Sequence, residues 1–204
     1  MSYDACMRTL IDSILEAEAE AILSLPKDNP YERVVELLGK TVKSRGHVVV
    51  SGVGKAGDVA RKIASTFNST GINSVFLSPL DAQHGDLGVI HDNSVLFLVS
   101  NSGKTREILE LIALSKRLHP KLKTVALTGV KDSPVARASD LVLSTGCPKE
   151  VCPLGLTPTT SVIAMLALAD VVTVLSMKSR KFTAKDYAKR RHGGYLGSKA
   201  KKQK

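Results

Sequence analysis

Apolar and polar residues occupy alternating blocks along the chain, and these blocks predict strands that lead into helices. Residues 95–99 are five consecutive apolar residues, which is typical of a strand buried on both faces. A run of small polar residues follows, and apolar positions with helical spacing continue from there to about Leu118. The same succession occurs earlier, with a strand at 47–51, a glycine-rich loop at 52–57 and a helix over 58–69.

The rest of the chain continues this alternation. The other predicted elements, in chain order, are helices at 3–25 and 31–43, a strand at 72–77, a polar loop at 81–88, a strand at 124–128, a short helix at 134–138, a strand at 140–144 and a long apolar helix from the polar run 157–161 to about Met177. Alternating strands and helices with short connections are typical of a parallel sheet covered by helices. We therefore predict an α/β fold, a three-layer α-β-α sandwich with a five-stranded parallel sheet of the Rossmann-like kind, formed by a single domain over residues 1–197.

Charge is distributed unevenly along the chain. The protein carries 29 basic and 19 acidic residues, but residues 178–204 alone hold eleven bases and one acid, which accounts for the whole net charge of +10. The body of the domain is therefore neutral, and residues 198–204 are predicted to form a solvated, disordered basic tail. Aromatic residues make up 4% of the chain, so the stacking surfaces used for single-stranded nucleic acid are not expected. We predict no nucleic-acid partner.

The number of cysteines and the hydropathy of the chain indicate the cellular compartment of the protein. The chain has three widely spaced cysteines, which form neither a disulfide framework nor a zinc site and favour a reducing cytoplasm. The N-terminus lacks the basic-then-apolar pattern of a signal sequence. The most apolar run, 162–175, is interrupted by Asp170 and is shorter than a membrane span. We therefore predict a cytoplasmic protein with no membrane partner, in which this run is a buried core helix.

Small polar residues follow two predicted strands, at the points where each leads into a helix. Hydroxyl groups, close backbone amides and the positive end of a helix dipole suit a phosphate group. The alternative at each loop is an ordinary capped helix, because Ser, Asn and Thr are also the preferred N-cap residues. A third polar helix start at 157–161 extends the pattern. The candidate phosphate-binding residues are Ser51, Gly54, Ser100, Asn101, Ser102, Thr105, Thr157 and Thr160.

The glycine-rich loop at 52–57 has G-x-G-x-x-G spacing, which is found in dinucleotide-binding folds. Such folds carry an acidic residue at the end of the next strand. Here that strand ends in Ser78-Pro79-Leu80-Asp81, and the spacing from glycine to Lys55 does not match a P-loop. No dinucleotide or nucleotide cofactor is therefore predicted.

Four segments in a fixed order closely resemble the sugar isomerase (SIS) domain, and specifically the arabinose-5-phosphate isomerase family. They are Ser51-Gly52-Val53-Gly54-Lys55, Gln83-His84-Gly85-Asp86-Leu87-Gly88, Ser100-Asn101-Ser102-Gly103 and Glu150-Val151-Cys152-Pro153-Leu154-Gly155-Leu156-Thr157-Pro158-Thr159-Thr160-Ser161. The resemblance covers roughly residues 8–197. It implies interconversion of D-ribulose 5-phosphate and D-arabinose 5-phosphate, the first step towards the lipopolysaccharide sugar Kdo, by a homotetramer with sites near subunit interfaces. Many members carry a pair of CBS domains after the sugar domain, and we expect this chain to be the form without them.

The resemblance also implies catalytic roles. Lys55 matches the active-site lysine of the family, Glu107 and Glu150 match two essential glutamates, and His84 lies in the matching His-Gly-Asp-Leu-Gly segment. The family typically ends in Ser-His-Pro-Gly-Gly, whereas this chain reads Arg190-Arg191-His192-Gly193-Gly194. His192 is therefore one position away from the family histidine, and either it reaches the site from there or another residue takes over its proton step.

Aldose–ketose isomerisation moves a proton between C1 and C2 through an enediol and needs neither a redox cofactor nor a metal. We interpret Glu150 as the carbon base, with a pKa raised by shelter from water. Lys55 would stabilise the enediolate or the phosphate, and His84 would assist ring opening. Each residue also has an ordinary alternative role: a solvated loop acid for Glu150, a surface lysine for Lys55, a turn residue for His84 and a helix-capping carboxylate for Glu107. Competing functions are the isomerisation of another phosphosugar, sedoheptulose 7-phosphate or hexulose 6-phosphate, and non-catalytic sensing of a sugar phosphate.

Overall fold

The computed structural model describes residues 3–191 and 193–202, so His192 lies outside the described residues. Five strands are formed by β1 (Val48–Gly52), β2 (Ser74–Phe76), β3 (Val95–Val99), β4 (Lys123–Thr128) and β5 (Leu141–Ser144). The α-helices are α1 (Tyr3–Leu23), α2 (Tyr31–Lys43), α3 (Lys55–Ser69), α4 (Pro79–Ala82), α5 (Arg106–Leu118), α6 (Pro134–Arg137), α7 (Thr160–Ser179), α8 (Ala184–Arg190) and α9 (Gly194–Lys202), and Asp86–Val89 forms a 3₁₀ turn.

All five strands are parallel and lie in the order β2-β1-β3-β4-β5. This arrangement confirms the predicted α/β fold. The register pairs Gly52 at the end of β1 with Val99 at the end of β3. The polar loops that follow these two strands therefore start side by side at the carboxyl edge of the sheet, where open α/β sheets bind ligands.

Helices cover both faces of the sheet, as the near-continuous apolar strands require. Val48 and Val50 face one layer, in which α2, α3 and α7 pack. Val49 faces the other layer, which contains α4, α5 and α6. Both cores are built mainly from buried apolar side chains of the strands and the covering helices.

Several boundaries differ from those predicted. Helix α3 begins at Lys55 and not at Asp58, so Lys55 belongs to the first helical turn. The predicted strand 72–77 is shorter in the structure, where β2 covers Ser74–Phe76. The predicted loop 81–88 overlaps the end of α4 and the start of the 3₁₀ turn. Helix α4 forms because Ser78 caps it and Pro79 lies in its first turn.

The C-terminus is more ordered than the sequence indicated. Residues 198–202, predicted to lie in a disordered tail, continue α9 to Lys202. Alanine and lysine are good helix formers, and Ala200 is buried. The side chains of Leu196, Lys199 and Ala200 line a shared cleft with Tyr187 of α8, and this packing was not visible in the charge pattern.

The apolar run 162–175 lies within α7, which has 20 residues and is, by length and composition, able to cross a membrane. The run itself is shorter than a membrane span, but the helix that contains it is not. The prediction that the run forms a buried core helix is confirmed. Its apolar character has a second explanation in the fold, because Ala164, Met165, Leu168 and Val172 are buried against the sheet.

Candidate active site

A cleft of about 490 Å³ opens at the carboxyl edge of the sheet, above the ends of β1 and β3. Three segments distant in sequence supply its walls: the start of α3, the loop between β3 and α5, and the loop that leads into α7. Of the predicted site residues, those lining the cleft are Lys55, Ser100, Asn101, Ser102, Thr105 and Glu150.

The loop at 100–105, which we call the phosphate loop after its predicted role, is held by a backbone hydrogen bond to β4 and by a pair of hydroxyls within the loop. The Ser100 amide donates to the Leu127 carbonyl on β4 at 3.0 Å. The Ser100 and Thr105 hydroxyls pair at 2.8 Å. Thr105 is the N-cap residue of α5, and its side chain makes no capping bond to that helix. The amides of the first turn of α5 are therefore not occupied by this side chain, as an anion site at a helix start requires.

The phosphate loop rests on the segment after β4. Gly103 has φ +61°, and its carbonyl accepts from the Val135 amide at 2.9 Å. A Cβ at Gly103 would collide with Oγ and Cβ of Ser133, the residue that caps α6. At Gly129, a Cβ would lie 2.7 Å from Oδ1 of Asn101. Glycine at both positions lets the loop pack directly onto its support.

Replacing Gly103 with alanine is therefore expected to displace the phosphate loop. The positive φ and the collision with Ser133 together cost at least about 2 kcal/mol of the free energy of unfolding. Denaturant unfolding measures this loss, and a binding titration with a phosphosugar measures the accompanying loss of affinity. Gly88→Ala is the matched control, because Gly88 has open space around its Cβ position. Equal effects of the two substitutions would contradict this account of Gly103.

Glu150 is fixed at the start of α7. Its Oε2 accepts from the Thr159 amide at 2.7 Å, the Thr159 hydroxyl at 2.9 Å and the Ser161 amide at 3.2 Å. These three donors all use Oε2, which leaves Oε1 for a substrate in the cleft. Burial raises the pKa of Glu150, but hydrogen bonds from Ser161 and Thr159 outweigh burial and lower that pKa below its usual range. The predicted increase of this pKa was wrong, and Glu150 is ionised at neutral pH.

Because the pKa of Glu150 is lowered in the folded state, its ionised form stabilises the fold above the pKa of the unfolded chain. This contribution is lost as the pH falls through the lowered folded pKa. We expect Glu150→Gln to cost about 1 kcal/mol of unfolding free energy at pH 7. The difference between the two proteins should vanish in acid, below the unfolded pKa of about 4.3. Urea unfolding between pH 3 and 7 measures both curves, and a constant difference would contradict the prediction.

The remaining predicted residues lie around the cleft without lining it. Ser51 is buried and donates to the Leu77 carbonyl at 2.7 Å, which ties β1 to the segment after β2. Gly54, with φ +58°, faces a separate cavity beside α4. Thr160 is buried and accepts from the Val151 amide at 3.1 Å. Thr157 is exposed and faces the Cys152 sulfur.

Two predicted catalytic residues, His84 and Glu107, lie outside the lining of the cleft. His84 is exposed in the turn between α4 and the 3₁₀ turn, and its amide donates to the Asp81 carbonyl at 2.9 Å. Glu107 is half-buried in the first turn of α5. Gln83 donates to Glu110 at 3.0 Å, which holds the turn carrying His84 against α5. Neither side chain lines the cleft that contains Lys55 and Glu150.

Sequence reasoning missed three contributors to the site. Thr159 and Ser161 position Glu150, whereas their neighbours Thr157 and Thr160 were singled out. The polar run 157–161 predicted a helix start, but it did not show which of its residues would donate to the Glu150 carboxylate. Ser133 supports the phosphate loop, but in the sequence a serine before Pro134 indicates only an ordinary N-cap residue.

Cys152 lies on the loop between Glu150 and α7. The hydroxyl and amide of Thr157 and the amides of Leu156 and Leu154 lower the pKa of its thiol to about 6. At pH 7 the side chain is therefore mainly a thiolate. Among the described residues, no group of three or more His, Cys, Asp or Glu side chains is arranged to hold a metal ion.

We expect iodoacetamide to alkylate Cys152 before Cys6 and Cys147 at pH 7. The rate should rise with pH around 6 and then level off, because the thiolate is the reacting species. Mass spectrometry of peptides after short exposures identifies the labelled residue, and Cys152→Ser provides the blank. A rate that keeps rising to pH 9 would contradict the lowered pKa.

These features define a class of protein. The chain belongs to the SIS domain family, which matches residues 41–175. Among its relatives, the arabinose 5-phosphate isomerase KdsD of Salmonella typhi is 43% identical over 188 residues, which are 91% of this chain and 56% of that protein. The chain thus spans about half the length of the curated relatives it matches.

Two solved structures share the whole fold. A Bacteroides fragilis protein, described as a phosphosugar isomerase involved in capsule formation, is 52% identical with a TM-score of 0.90, over 93% of this chain and 99% of that one. A protein of Escherichia coli CFT073, solved in complex with A5P, is 33% identical with a TM-score of 0.80, over 92% of this chain and 97% of that one.

Proposed function

We propose that the protein is an aldose–ketose isomerase that interconverts D-ribulose 5-phosphate and D-arabinose 5-phosphate. The observation that carries the proposal is the cleft itself, in which the Lys55 ammonium and the Glu150 carboxylate meet the phosphate loop. The names of the relatives and the A5P complex of the Escherichia coli protein support the same substrate. A volume of about 490 Å³ accommodates a pentose phosphate.

The phosphoryl group of the substrate is bound by the phosphate loop. Ser100, Ser102 and Thr105 offer hydroxyl groups, and Asn101 adds a side-chain amide. The N-terminus of α5 contributes its partial positive charge. Binding the phosphate here directs the sugar carbons across the cleft towards Glu150.

Isomerisation then requires a base at carbon and a cation near the developing oxyanion. Starting from the ketose, Glu150 takes a proton from C1 while the C2 carbonyl oxygen gains negative charge, and Lys55 stabilises this enediolate. The O1 proton is then transferred to O2, and Glu150 returns its proton to C2, which forms the aldehyde at C1 and the hydroxyl at C2 and restores the carboxylate. The hydrogen bonds to Oε2 fix the carboxylate so that Oε1 is presented to the substrate.

Glu107, His84 and His192 are proposed to assist ring opening and proton transfer at oxygen. Because Glu107 and His84 do not line the cleft that contains Glu150, a homotetramer with sites near subunit interfaces is the assembly that we propose. Exposed apolar side chains support this, since Leu10, Ile11 and Leu15 of α1 and Val174 of α7 are 48–59% exposed.

The proposed setting is the cytoplasm, where the product would supply Kdo for lipopolysaccharide or capsule. No cofactor is required by the proposed reaction, because the proton moves within one molecule. Neither a nucleic-acid nor a membrane partner is part of the proposal.

Incubation of the purified protein with single ketose phosphates tests the proposed substrate. We expect D-ribulose 5-phosphate to yield D-arabinose 5-phosphate, identified by chromatography against the ribose epimer. Sedoheptulose 7-phosphate and hexulose 6-phosphate serve as the competing substrates. Faster turnover of either competitor, or binding of ribulose 5-phosphate without any turnover, would overturn the proposal.

A further inference from the structure

A second cavity, of about 630 Å³, lies at the amino edge of the sheet, opposite the candidate active site. It is formed by α2, the end of α7 with the segment after it, α8 and the turn before β2. Its polar lining is dominated by five bases, namely Lys40, Lys43, Arg180, Lys181 and Arg190, with Glu36 and Asp186 as acids. We call it the basic cavity. Helix α7 runs from the active-site cleft to this cavity, a distance of roughly 30 Å at 1.5 Å per residue.

Arg180 is built into the wall of the basic cavity. Its Nε donates to the Ser176 carbonyl at 3.2 Å, and its two Nη atoms donate to the carbonyls of Gly71 at 3.4 Å and Thr70 at 2.8 Å. A guanidinium has five N–H groups. Three carbonyl partners therefore fix the Arg180 side chain and leave N–H groups for a ligand.

Arg190 faces the same ring as Arg180. Their guanidinium carbons lie 5.6 and 5.7 Å from the centroid of Phe182, and Nη1 of Arg190 is held by the Asp186 carbonyl at 3.0 Å. Burial, followed by the charge of Arg190, lowers the pKa of Arg180, so the two cations repel each other. Two guanidinium groups held around one ring offer several directed N–H groups to an anion.

The acids of the basic cavity are engaged by other groups. Glu36 pairs with Lys40 at 2.6 Å. Asp186 accepts from the amide and the hydroxyl of Thr183 and lies 3.8 Å from Lys189. Within residues 3–191 and 193–202, Lys43 and Lys181 have no ion pair. The dipoles of α2 and α7 favour bases at their last turns. Asp186 attracts both Arg180 and Arg190, so the cavity keeps an excess of positive charge, with five bases against two acids.

We propose that the basic cavity binds a small phosphorylated molecule, with its phosphate groups between Arg180, Arg190 and Lys43. The apolar side chains of Val35, Val42 and Phe182 in the same lining provide a surface for the uncharged part of that ligand. The site is separate from the cleft that contains Glu150 and does not rest on the proposed isomerase activity.

Calorimetric titration of the full chain with inorganic pyrophosphate, at constant ionic strength, tests the proposal. We expect the double variant K43E/R190E to bind pyrophosphate at this site at least about tenfold more weakly, because two charge-assisted contacts are lost. R117E/K121E is the matched control. It makes the same change in charge and residue type on α5 and the segment after it, away from the cavity, and should bind like the wild type.

Both double variants leave the candidate active site unchanged. Pyrophosphate binding that the wild type, K43E/R190E and R117E/K121E share is therefore assigned to that cleft. The proposal would be overturned if wild-type binding were fully retained in K43E/R190E, or if the control lost as much affinity. Circular dichroism checks that the variants fold. If charge reversal prevents folding, the neutral pair K43Q/R190Q with its control R117Q/K121Q gives the same comparison.

Discussion

We expect Glu150→Gln to lower kcat for ribulose 5-phosphate by about 10³-fold and to change KM by less than tenfold. The loss reflects the contribution of a positioned general base. Glutamine retains an oxygen that accepts from the Thr159 and Ser161 amides, so the start of α7 keeps its cap. Because the proposed mechanism holds the substrate mainly by the phosphate loop, we expect the variant still to bind it. Stopped assays of arabinose 5-phosphate formation give both constants.

Thr159→Val separates the roles of Glu150 in chemistry and in structure. This substitution removes the 2.9 Å hydroxyl contact with Oε2 but leaves the carboxylate. We expect it to lower kcat by about tenfold, as the loss of one hydrogen bond to a charged group predicts. Unchanged turnover in Glu150→Gln would remove Glu150 from the mechanism. An equal loss in Thr159→Val would show that the carboxylate acts only by positioning α7.

We expect Lys55→Met to lower kcat/KM by about 10²-fold or more, because one charged donor to the developing oxyanion would be lost. Methionine preserves the length and apolar character of the side chain, and Lys55 is the first residue of α3, where the backbone needs no lysine. The expected loss is therefore chemical. Progress curves at low ribulose 5-phosphate concentration measure kcat/KM directly.

Lys104→Met is the matched control for this lysine. Lys104 is exposed in the phosphate loop, but it does not line the cleft, and its amide is engaged by the Ser102 hydroxyl. We expect less than a threefold effect there. If Lys104→Met lost as much activity as Lys55→Met, the cleft would not be the place where negative charge develops.

The fold and the phosphate loop followed from local patterns. Buried strands, polar turns and helices each produce a pattern in consecutive residues, which the sequence shows directly. The pairing of β1 with β3 then brings the two polar loops together. Ser51 shows the limit of such patterns. It resembles Ser100, but β1 extends to Gly52, so Ser51 lies within the sheet and bonds to Leu77, whereas Ser100 follows the end of β3.

The electrostatics of Glu150 depended on contacts that the sequence pattern did not resolve. A carboxylate in a sheltered cleft is expected to have a raised pKa. The donors that reverse this effect come from Thr159 and Ser161, nine and eleven residues further along the chain. The basic cavity shows the same dependence on tertiary structure, because its bases come from α2, the segment after α7 and α8.

A crystal structure of Glu150→Gln with arabinose 5-phosphate tests the central claim most directly. We predict the phosphoryl group at the hydroxyls of Ser100, Ser102 and Thr105, with C1 and C2 of the sugar between residue 150 and Lys55. A phosphoryl group bound elsewhere, or sugar carbons turned away from residue 150, would contradict the account.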